Sequence, residues 1–403
     1  MTGPTTERQR YLILDLLRGL ALLGIALANF PEFTLWTFLS DADRAAMPTS
    51  AVDEFVRFLQ FLLVDGKFYT IFSVLFGIGF SLILERRGRG LFVRRMLLLA
   101  LIGFMHLMFL WSGDILLLYA VGGLLLTMFV GLNGRQLLVL ALSLIFLPVV
   151  LDATTEFCGT DFASPFYAKW WEVAAAQGIT DENFASWLRD ADTYPQVFAF
   201  LKQGACERMW EFVEGHRLPK VLGLFILGYL AGRQRFYARL QELHLKRMFL
   251  WAVCLGLPAS VLYALSAVDG CPWGRSLHSL LYAVSVVPLA VAYITAVCLF
   301  YRRYPTLKVF GWLAAPGRMA LSNYIMQSVV GIFLFYGIGL GWGTSFGLVH
   351  AELTAVAVFL LQIPCSLLWL RYFQFGPLEW IWRVFTYGKY FPIVREERQG
   401  QET

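Results

Sequence analysis

Long runs of apolar residues alternate with short polar stretches along the whole 403-residue chain. A helix of about 20 apolar residues crosses the roughly 30 Å hydrocarbon core of a bilayer. The pattern therefore predicts an all-α protein, a polytopic membrane helical bundle with about ten transmembrane helices. The predicted spans are residues 11–30, 66–84, 91–111, 113–131, 137–152, 218–232, 247–267, 278–300, 318–340 and 348–371. The fifth and sixth are short for the bilayer core, so we expect both to extend into the segment between them.

Two segments depart from the apolar pattern. Residues 52–64 are amphipathic at helical spacing and predict a helix that lies on the membrane surface or leads into a span. Residues 153–217 are rich in Trp, Asp and Glu, and they predict short helices that cap one mouth of the bundle. The predicted organisation is a transmembrane bundle over 1–371, which contains the insert 153–217, followed by an interfacial tail over 372–403.

The composition excludes a soluble domain, because 58% of the residues are hydrophobic and only 15% are charged. The net charge of +5 is small, and neither a basic aromatic platform nor zinc-ligand spacing is present. We therefore expect no nucleic-acid partner and no metal. The first apolar run resembles a signal peptide, with Ala26–Leu27–Ala28 as a cleavage site. Asp15 and Arg18 within the run, and the spans that follow it, favour a retained helix.

Arginine and lysine are concentrated in three loops between the predicted spans, 85–95, 233–247 and 301–308, which each hold at most one acidic residue. Because loops of this kind stay in the cytoplasm, we expect these loops and both chain termini on the cytoplasmic side. Loop 31–54 holds one arginine against five acidic residues. It is predicted to lie on the outer side, together with the insert 153–217.

Three of the six cysteines fall in predicted spans, and the other three, Cys158, Cys206 and Cys271, fall outside them. The three in spans are Cys254, Cys298 and Cys365. One disulfide on the outer side, most simply between Cys158 and Cys206, is compatible with this placement, and so are free thiols.

The third predicted span carries a histidine on the same helical face as an arginine near its start. Arg95 and His106 are eleven residues apart, which corresponds to about three turns and about 16 Å of helix. The predicted orientation places Arg95 at the cytoplasmic surface and His106 about 7 Å below the outer end of the span. Polar groups at such depth are expensive in lipid and usually functional, so this pair is the leading candidate site.

Asp114 opens the fourth predicted span, directly after the tight turn Trp111–Ser112–Gly113, and we expect it to fold back toward His106. A carboxylate beside an imidazole orients the tautomer and raises the basicity of the ring. His106 and Asp114 are therefore the predicted catalytic residues. The alternative interpretation is a polar pair that only holds two helices together.

The first predicted span carries polar residues on one face. Asp15 and Arg18 are three residues apart, and the same face continues to Asn29. One interpretation is that Arg18 points into the bundle and holds an anionic ligand. The other is that Asp15 and Arg18 form a structural ion pair near the membrane surface.

The ninth predicted span contains a polar patch in which Asn323 and Gln327 are four residues apart, with Tyr324 and Ser328 adjacent to them. The patch is a candidate binding surface. The alternative is hydrogen bonding between helices, which is common in membrane bundles and weak per bond.

Two further features lie near the predicted membrane surface. The arginines of loop 85–95 are a positive-inside signal and also candidates for binding the phosphates of a cytosolic cofactor. They are Arg86, Arg87, Arg94 and Arg95. Residues 375–392 combine interfacial aromatic residues with Glu379 and Arg383, which are four residues apart, and predict an anchoring helix with an ion pair.

Four sequence blocks together resemble the YeiB-like family of bacterial multi-span proteins, which is in turn similar to the transmembrane acyltransferases. The blocks are LDLLRGLALLGIALANF, the arginine–histidine pair followed by GDILLLYA, GRMALSNYIMQS and FGPLEWIWRVFTYG. They occur in the family's order over nearly the whole chain. The acyltransferase group includes the lysosomal heparan-α-glucosaminide N-acetyltransferase and bacterial O-acyltransferases that modify surface glycans.

The resemblance implies an enzyme of the bacterial cytoplasmic (inner) membrane that uses cytosolic acyl-CoA, expected to be acetyl-CoA, as co-substrate. The acceptor would be a hydroxyl or amine of a glycan or small metabolite on the outer side, and proteins of this kind are often homodimers. The resemblance makes His106 the catalytic histidine and Arg95 its paired arginine. Asp15, Arg18 and Gly19 match the first block, and the YeiB-like blocks are matched by Asp114, Tyr119, Asn323, Tyr324 and Gln327. Some glycan O-acyltransferases have a second histidine in the first span; this chain has none there, and Asn29 stands near that place.

The resemblance implies a mechanism that the spacing suits: arginines at the inner mouth would hold the CoA phosphates, and the pantetheine arm would span the ~16 Å to His106. His106 then acts as general base on the acceptor or takes the acyl group itself. Asp114 orients the imidazole, and Asn323 or Gln327 donates to the developing oxyanion.

Two other classes of function stay open on the sequence. A transporter or lipid flippase would also place a His/Asp/Arg site inside the membrane, although the inverted repeats and broken spans typical of transporters are not found. A membrane scaffold or sensor without catalytic activity would leave His106 expendable.

Overall fold

A computed structural model describes residues 11–395, and this part of the chain is almost entirely helical. The helices are α1 (Leu12–Phe33), α2 (Asp41–Ala45), α3 (Ser50–Leu59), α4 (Lys67–Phe109), α5 (Leu116–Leu126), α6 (Gly134–Cys158), α7 (Ser164–Ala176), α8 (Phe184–Asp190), α9 (Tyr194–Glu214), α10 (Arg217–Arg233), α11 (Leu245–Val268), α12 (Arg275–Arg303), α13 (Lys308–Arg318), α14 (Ala320–Phe335), α15 (Leu348–Tyr372) and α16 (Pro377–Tyr387). Among the described residues, strand-like pairing is limited to one isolated bridge between Phe373 and Val394. The all-α prediction is confirmed. Both chain termini, whose side of the membrane was predicted, lie outside the described residues.

A helix overlaps each of the predicted spans. Within residues 11–395, six helical segments are long and apolar enough to cross a bilayer, so the chain is a helical membrane protein. They are Leu12–Phe33, Ser50–Phe109, Gly134–Cys158, Leu245–Val268, Arg275–Arg303 and Leu348–Tyr372, and two shorter apolar helices are Leu116–Phe129 and Ala320–Phe335. The number of crossings remains a prediction.

The second and third predicted spans are the two halves of α4, which is interrupted at Gly88 (φ 80°, ψ 177°). This backbone conformation is accessible almost only to glycine. The rings of Phe80 and Phe92, on opposite sides of the break, are 4.4 Å apart. In an unbroken helix, twelve residues would separate them by about 18 Å, so the two halves fold back against each other, as two separate spans would.

Helix α13 was not predicted, and it packs unusually closely against α1. A Cβ atom at Gly19 would lie 1.9 Å from the carbonyl oxygen of Leu313, and one at Gly317 would lie 2.0 Å from that of Asp15. Real Cβ atoms do not approach backbone atoms so closely, so glycine at both positions allows the two backbones to touch. This contact places Asp15 and Arg18 against α13.

Replacing Gly317 with alanine is expected to lower the free energy of unfolding by about 1–3 kcal/mol, because the added methyl group forces α13 away from α1. Gly311 lies in the same helix with open space around its Cβ position, and Gly311→Ala should therefore raise stability slightly. Thermal unfolding of both variants in detergent measures the difference. Equal stability of the two variants would contradict the close contact.

The insert 153–217 contains the three helices α7, α8 and α9, in agreement with the predicted helical character of this segment. Of the flanking helices, α6 reaches into it as expected and continues to Cys158, whereas α10 begins at Arg217, the last residue of the insert. Trp170 of α7 stacks on Trp210 of α9 with ring centroids 5.1 Å apart. The insert is thus a small helical unit attached at both ends to the bundle.

The insert covers one end of the bundle through specific polar contacts. Arg189 donates to the hydroxyl of Thr344 at 2.8 Å, and the backbone N–H of Gly337 donates to the carbonyl of Leu188 at 2.9 Å. Cys158 and Cys206 are free thiols, so of the two alternatives for this pair the structure shows the unlinked one.

The predicted surface segment 52–64 corresponds to α3 and a π-helical segment over Gln60–Val64. The segment precedes α4 directly, as expected for a helix that leads into a span.

At the opposite end of the bundle from the insert, α16 packs across α4 and the first turn of α14. Glu379 accepts hydrogen bonds from the backbone N–H groups of Leu321 (2.7 Å) and Ser322 (3.1 Å), where a carboxylate is favoured by the helix dipole. Burial nevertheless raises the pKa of Glu379 above its usual range. The indole of Trp382 donates to the carbonyl of Arg95 at 2.9 Å, so α16 covers the end of the bundle where Arg95 lies.

Candidate functional site

His106 and Asp114 are in direct contact, as their spacing predicted. Helix α4 ends at the turn after His106, whose carbonyl accepts from the N–H groups of Leu110 (3.0 Å) and Trp111 (2.8 Å). The chain then reverses, and the Oδ2 atom of Asp114 lies 2.9 Å from the Nδ1 atom of His106. The Oδ1 atom of Asp114 accepts from the backbone N–H of Leu117 at 2.8 Å. Both carboxylate oxygens are therefore used, one to hold the imidazole and one to hold the start of α5.

The second ring nitrogen of His106 faces a hydroxyl group. The Nε2 atom lies 3.0 Å from the Oγ atom of Ser328 on α14. An ionised carboxylate can only accept hydrogen bonds, so Asp114 assigns the proton of a neutral imidazole to Nδ1. Nε2 then carries the lone pair and Ser328 donates to it. The three residues form a chain of carboxylate, imidazole and hydroxyl with the connectivity of a Ser–His–Asp triad.

The chain of three residues is deeply buried. Side-chain exposure is 1% for His106 and 0% for Asp114, and Ser328 is 1% exposed. The rings of Trp111 and Tyr324 flank the imidazole, with centroids 6.1 Å and 5.3 Å from it. In this conformation a ligand reaches Nε2 only if the surrounding side chains move.

Tyr324 lies one turn before Ser328 on α14 and faces the same imidazole. The residue is 5% exposed. Its hydroxyl lies near the backbone N–H of Ile115, but no acceptor for the hydroxyl proton is in hydrogen-bonding geometry within residues 11–395. The site therefore contains a buried hydroxyl donor that has no acceptor.

Arg95 lies eleven residues before His106 on the second half of α4, which places it about 16 Å away along the helix. Its guanidinium group stacks on the ring of Trp382, 3.5 Å from the ring centroid. Arg18, Arg383 and Glu379 are close enough to interact with it electrostatically. The structure therefore places Arg18 within electrostatic range of Arg95 and covers Arg95 with α16.

Other members of the arginine cluster also lie beside α16. The guanidinium of Arg87 is 5.8 Å from the ring centroid of Tyr387. Arg94 is exposed and lies next to Gly388, directly after α16. The helix that the sequence predicted only as a membrane anchor thus borders the proposed phosphate-binding arginines.

The polar residues of the first span are separated along α1. Arg18 donates to Asp15 at 2.7 Å, and Asp15 is 6% exposed. The structural ion pair is therefore formed, and Arg18 is at the same time near Arg95. Asn29 is half-buried near the other end of the helix.

Asn323 and Gln327 are directed to α15 rather than to His106. Asn323 donates to the hydroxyl of Ser366 at 3.0 Å, Gln327 donates to the side-chain carbonyl of Gln362 at 3.0 Å, and Gln362 donates back to the carbonyl of Asn323 at 2.8 Å. This geometry is the hydrogen bonding between helices that was the alternative interpretation. It leaves no contact that would let either amide act on a group held at His106.

Tyr119 also lies apart from His106. Its hydroxyl is 2.7 Å from the hydroxyl of Ser73 and donates to the carbonyl of Tyr69 at 3.1 Å. Its ring packs at 5.1 Å from that of Phe225. These contacts make Tyr119 a packing residue that joins α4, α5 and α10.

A small cavity of about 10 Å³, close to the size of one water molecule, lies beside the turn that follows His106, between the bundle and the insert. It is lined by Glu32, Phe38, Ser112, Gly204, Glu207, Arg208 and Glu211. This cluster was not predicted, although Glu211 is four residues after Glu207 and three after Arg208, spacings that make helix side chains neighbours.

Arg208 links several groups that line the cavity. It forms ion pairs with Glu32 and Glu211, and its Nε atom donates to the carbonyl of Ser112 at 2.9 Å. Burial and the neighbouring charge of Glu211 raise the pKa of Glu207 well above its usual range. Arg208 is also close enough to interact with Tyr324 electrostatically, so the cavity adjoins the site around His106.

A helical membrane bundle that encloses a carboxylate–imidazole–hydroxyl chain defines a polytopic membrane protein with an intramembrane polar site. The chain belongs to the YeiB family. It is 31% identical to "Uncharacterized protein YeiB" of Escherichia coli (strain K12) over 412 residues, which covers 96% of this chain and 98% of that protein. The predicted YeiB-like membership is confirmed.

Two further comparisons agree with this assignment. The chain is 29% identical to "Uncharacterized protein YxaH" of Bacillus subtilis (strain 168) over 414 residues, which covers 98% of each protein. The family described as "Protein of unknown function (DUF418)" matches residues 231–389, a region that holds Ser328 but not His106. No solved structure matches the chain.

Proposed function

We propose that this protein is a membrane-embedded acyltransferase that moves an acyl group, expected to be acetyl, from cytosolic acyl-CoA to an acceptor hydroxyl or amine on the outer side of the membrane. The observation that carries the proposal is the buried imidazole of His106, which is held by a carboxylate on one nitrogen and faces a hydroxyl with the other. This arrangement is typical of general-base catalysis in acyl transfer. The resemblance of Arg95 and His106 to the paired residues of transmembrane acyltransferases supports it.

The end of the bundle near α16 supplies the features that an acyl-CoA site needs. Arg18 lies within electrostatic range of Arg95, and Arg87 and Arg94 lie beside α16, the helix that covers Arg95. Guanidinium groups bind phosphate with planar, bidentate geometry. Trp382 now occupies the face of Arg95, so we propose that α16 moves aside when the nucleotide binds and the pantetheine arm extends along α4 toward His106.

The cavity at the other end is the proposed acceptor site. Glu32, Glu207 and Glu211 can accept hydrogen bonds from hydroxyl or amine groups, while Arg208 holds two of these carboxylates in place. The cavity adjoins Ser112, which lies in the turn between His106 and Asp114. Because the cavity is small, we propose that it widens when the acceptor binds, with Trp111 and Tyr324, which flank the imidazole, moving to give access to Nε2.

The test is transfer of radiolabelled acetyl from acetyl-CoA to a glycan or small-molecule fraction, with the purified protein in proteoliposomes. We expect CoA to be released on one side of the membrane and labelled acceptor to be found on the other. If an unmodified solute crosses the membrane and no label is transferred, the protein is a transporter and not an acyltransferase.

Replacing Arg95 with methionine is expected to raise the KM for acetyl-CoA by about 10–100-fold, because a charge-assisted contact with phosphate is lost. The kcat should change much less, since the change lies three turns from the reacting atoms. The control is Arg239→Met, which removes an exposed arginine of loop 233–247. Equal KM values for both variants would show that Arg95 does not bind the nucleotide.

A further inference from the structure

The hydroxyl of Ser328 bonds to a side chain of another helix and not to its own helix, as do those of Ser73, Ser266 and Ser366. Buried serine and threonine side chains of helices usually donate to a carbonyl of the preceding turn, and Ser81, Thr127 and Thr295 do so here. Ser328 does not, and within the described part of the chain its hydroxyl is bonded to Nε2 of His106 instead. Its proton is thus directed to the one ring nitrogen that can accept it.

The same contacts determine which way a proton can move. Asp114 holds the Nδ1–H group at 2.9 Å, so protonation of Nε2 produces an imidazolium ion that is stabilised by an adjacent carboxylate. A hydroxyl that can pass its proton to such an imidazole becomes a nucleophile. Ser328 is 1% exposed, so water does not compete with its hydroxyl for Nε2 of His106.

We propose that Ser328 takes the acyl group from acyl-CoA and carries it as an ester, an inference that rests on the proposed acyltransferase function. The Oγ atom attacks the thioester carbonyl carbon while its proton moves to Nε2 of His106. The C–S bond breaks, and the leaving thiolate takes the proton from Nε2 and departs as CoA thiol. The acceptor hydroxyl or amine then gives a proton to Nε2 and attacks the ester carbon, and the Ser328 alkoxide takes that proton back as it leaves.

Tyr324 is placed to assist both steps. It is four residues before Ser328 on α14, so both side chains project from the same helical face, and its ring is 5.3 Å from the imidazole of His106. Its buried hydroxyl has no acceptor of normal geometry among the described residues. A donor of this kind can stabilise the oxyanion that forms when Ser328 attacks a carbonyl group.

A covalent intermediate also suits a site that is enclosed on all sides. With the acyl group stored on Ser328, CoA can leave toward α16 before the acceptor enters from the insert side. The two substrates then never have to occupy the buried site together, and the bundle needs to open at only one end at a time. Direct transfer would require both ends to be occupied at once.

The experiment supplies [14C]acetyl-CoA to the purified full-length protein without acceptor, then quenches the reaction and identifies the labelled residue by peptide mass spectrometry. We expect label on Ser328 in the unchanged protein and none in Ser328→Ala or His106→Gln. Transfer to acceptor should fall by about 10³-fold or more in Ser328→Ala. Ser260→Ala is the matched control, because Ser260 is fully buried in α11 and donates to the carbonyl of Leu62; it should keep the label and the activity.

Ser328→Cys separates a chemical role from a structural one. The thiol fits the same space and should carry the acyl group as a thioester, which neutral hydroxylamine cleaves while it leaves the serine ester largely intact. Transfer at an unchanged rate in Ser328→Ala, or label on another residue, would overturn the proposal for Ser328 and leave acyl transfer standing. Failure of the unchanged protein to release CoA or to label any acceptor would overturn the acyltransferase function itself.

Discussion

The replacement His106→Gln is expected to lower the rate of acyl transfer by about 10²–10⁴-fold, the contribution typical of a positioned general base. Glutamine can hydrogen-bond to Asp114 and fill part of the space, but its amide cannot take a proton from a hydroxyl near neutral pH. The loss should appear in kcat, because His106 lies about 16 Å along α4 from the arginine proposed to bind the nucleotide. Initial rates with labelled acetyl-CoA in proteoliposomes measure it.

The chain contains a matched control for this experiment. His216 forms a second histidine–carboxylate pair, in which its Nε2 atom lies 3.1 Å from Asp152, at the junction of α6 with the insert. His216→Gln disturbs a similar pair but leaves the site around His106 intact, so its rate should stay within a few-fold of the unchanged protein. Full activity in His106→Gln would instead favour a scaffold or sensor, in which this histidine is expendable.

The replacement Asp114→Asn is expected to lower the rate by about 10³-fold, because it reverses the hydrogen-bond polarity of the imidazole. Asp114 uses two acceptor oxygens, one for Nδ1–H of His106 and one for the N–H of Leu117. Asparagine offers a single acceptor oxygen. If this oxygen keeps Leu117, the amide N–H group points at Nδ1, and the imidazole proton moves to Nε2, where it blocks transfer from Ser328.

The measurement is kcat for Asp114→Asn beside Asp152→Asn, which changes the carboxylate of the second pair. The KM for acetyl-CoA should be unchanged in both variants, since neither position is near α16. The acylation of Ser328 should be lost in Asp114→Asn alone. Comparable kcat values in the two variants would show that the carboxylate next to His106 serves the fold and not the reaction.

The segments of the bundle could be predicted from the sequence because each helix in a membrane has to satisfy its own backbone hydrogen bonds and cover them with apolar side chains. Because this requirement makes each span apolar along its whole length, a helix overlaps every predicted span, and α6 extends into the insert as expected. The break in α4 was also visible, since Gly88 lies in the arginine-rich loop between two apolar runs. Helix α13 was missed because it is short and its glycine contacts are made with a distant segment, α1.

The contact between His106 and Asp114 was predictable because only a tight turn separates them, so local geometry brings them together. The partners of Ser328 and Asn323, in contrast, could not be predicted from local geometry. Successive residues of a helix point about 100° apart, so the polar patch of α14 has two faces, and the sequence does not say which neighbour each face meets. In the structure, Tyr324 and Ser328 face His106. Asn323 and Gln327 face α15.

By itself, then, the sequence determined the class of the protein, the placement of its apolar helices and the pairing of His106 with Asp114, because all three depend on interactions between residues that are near each other along the chain. Only the tertiary structure decided that Ser328 completes the chain of polar groups, that Trp382 covers Arg95, and that Arg208 and its carboxylates line a cavity beside the site. His106 and Ser328 are 222 residues apart, and Arg95 and Trp382 are 287 apart. Contacts at such separations depend on how the helices pack, and side-chain periodicity specifies which face of a helix is polar but not which helix will lie against it.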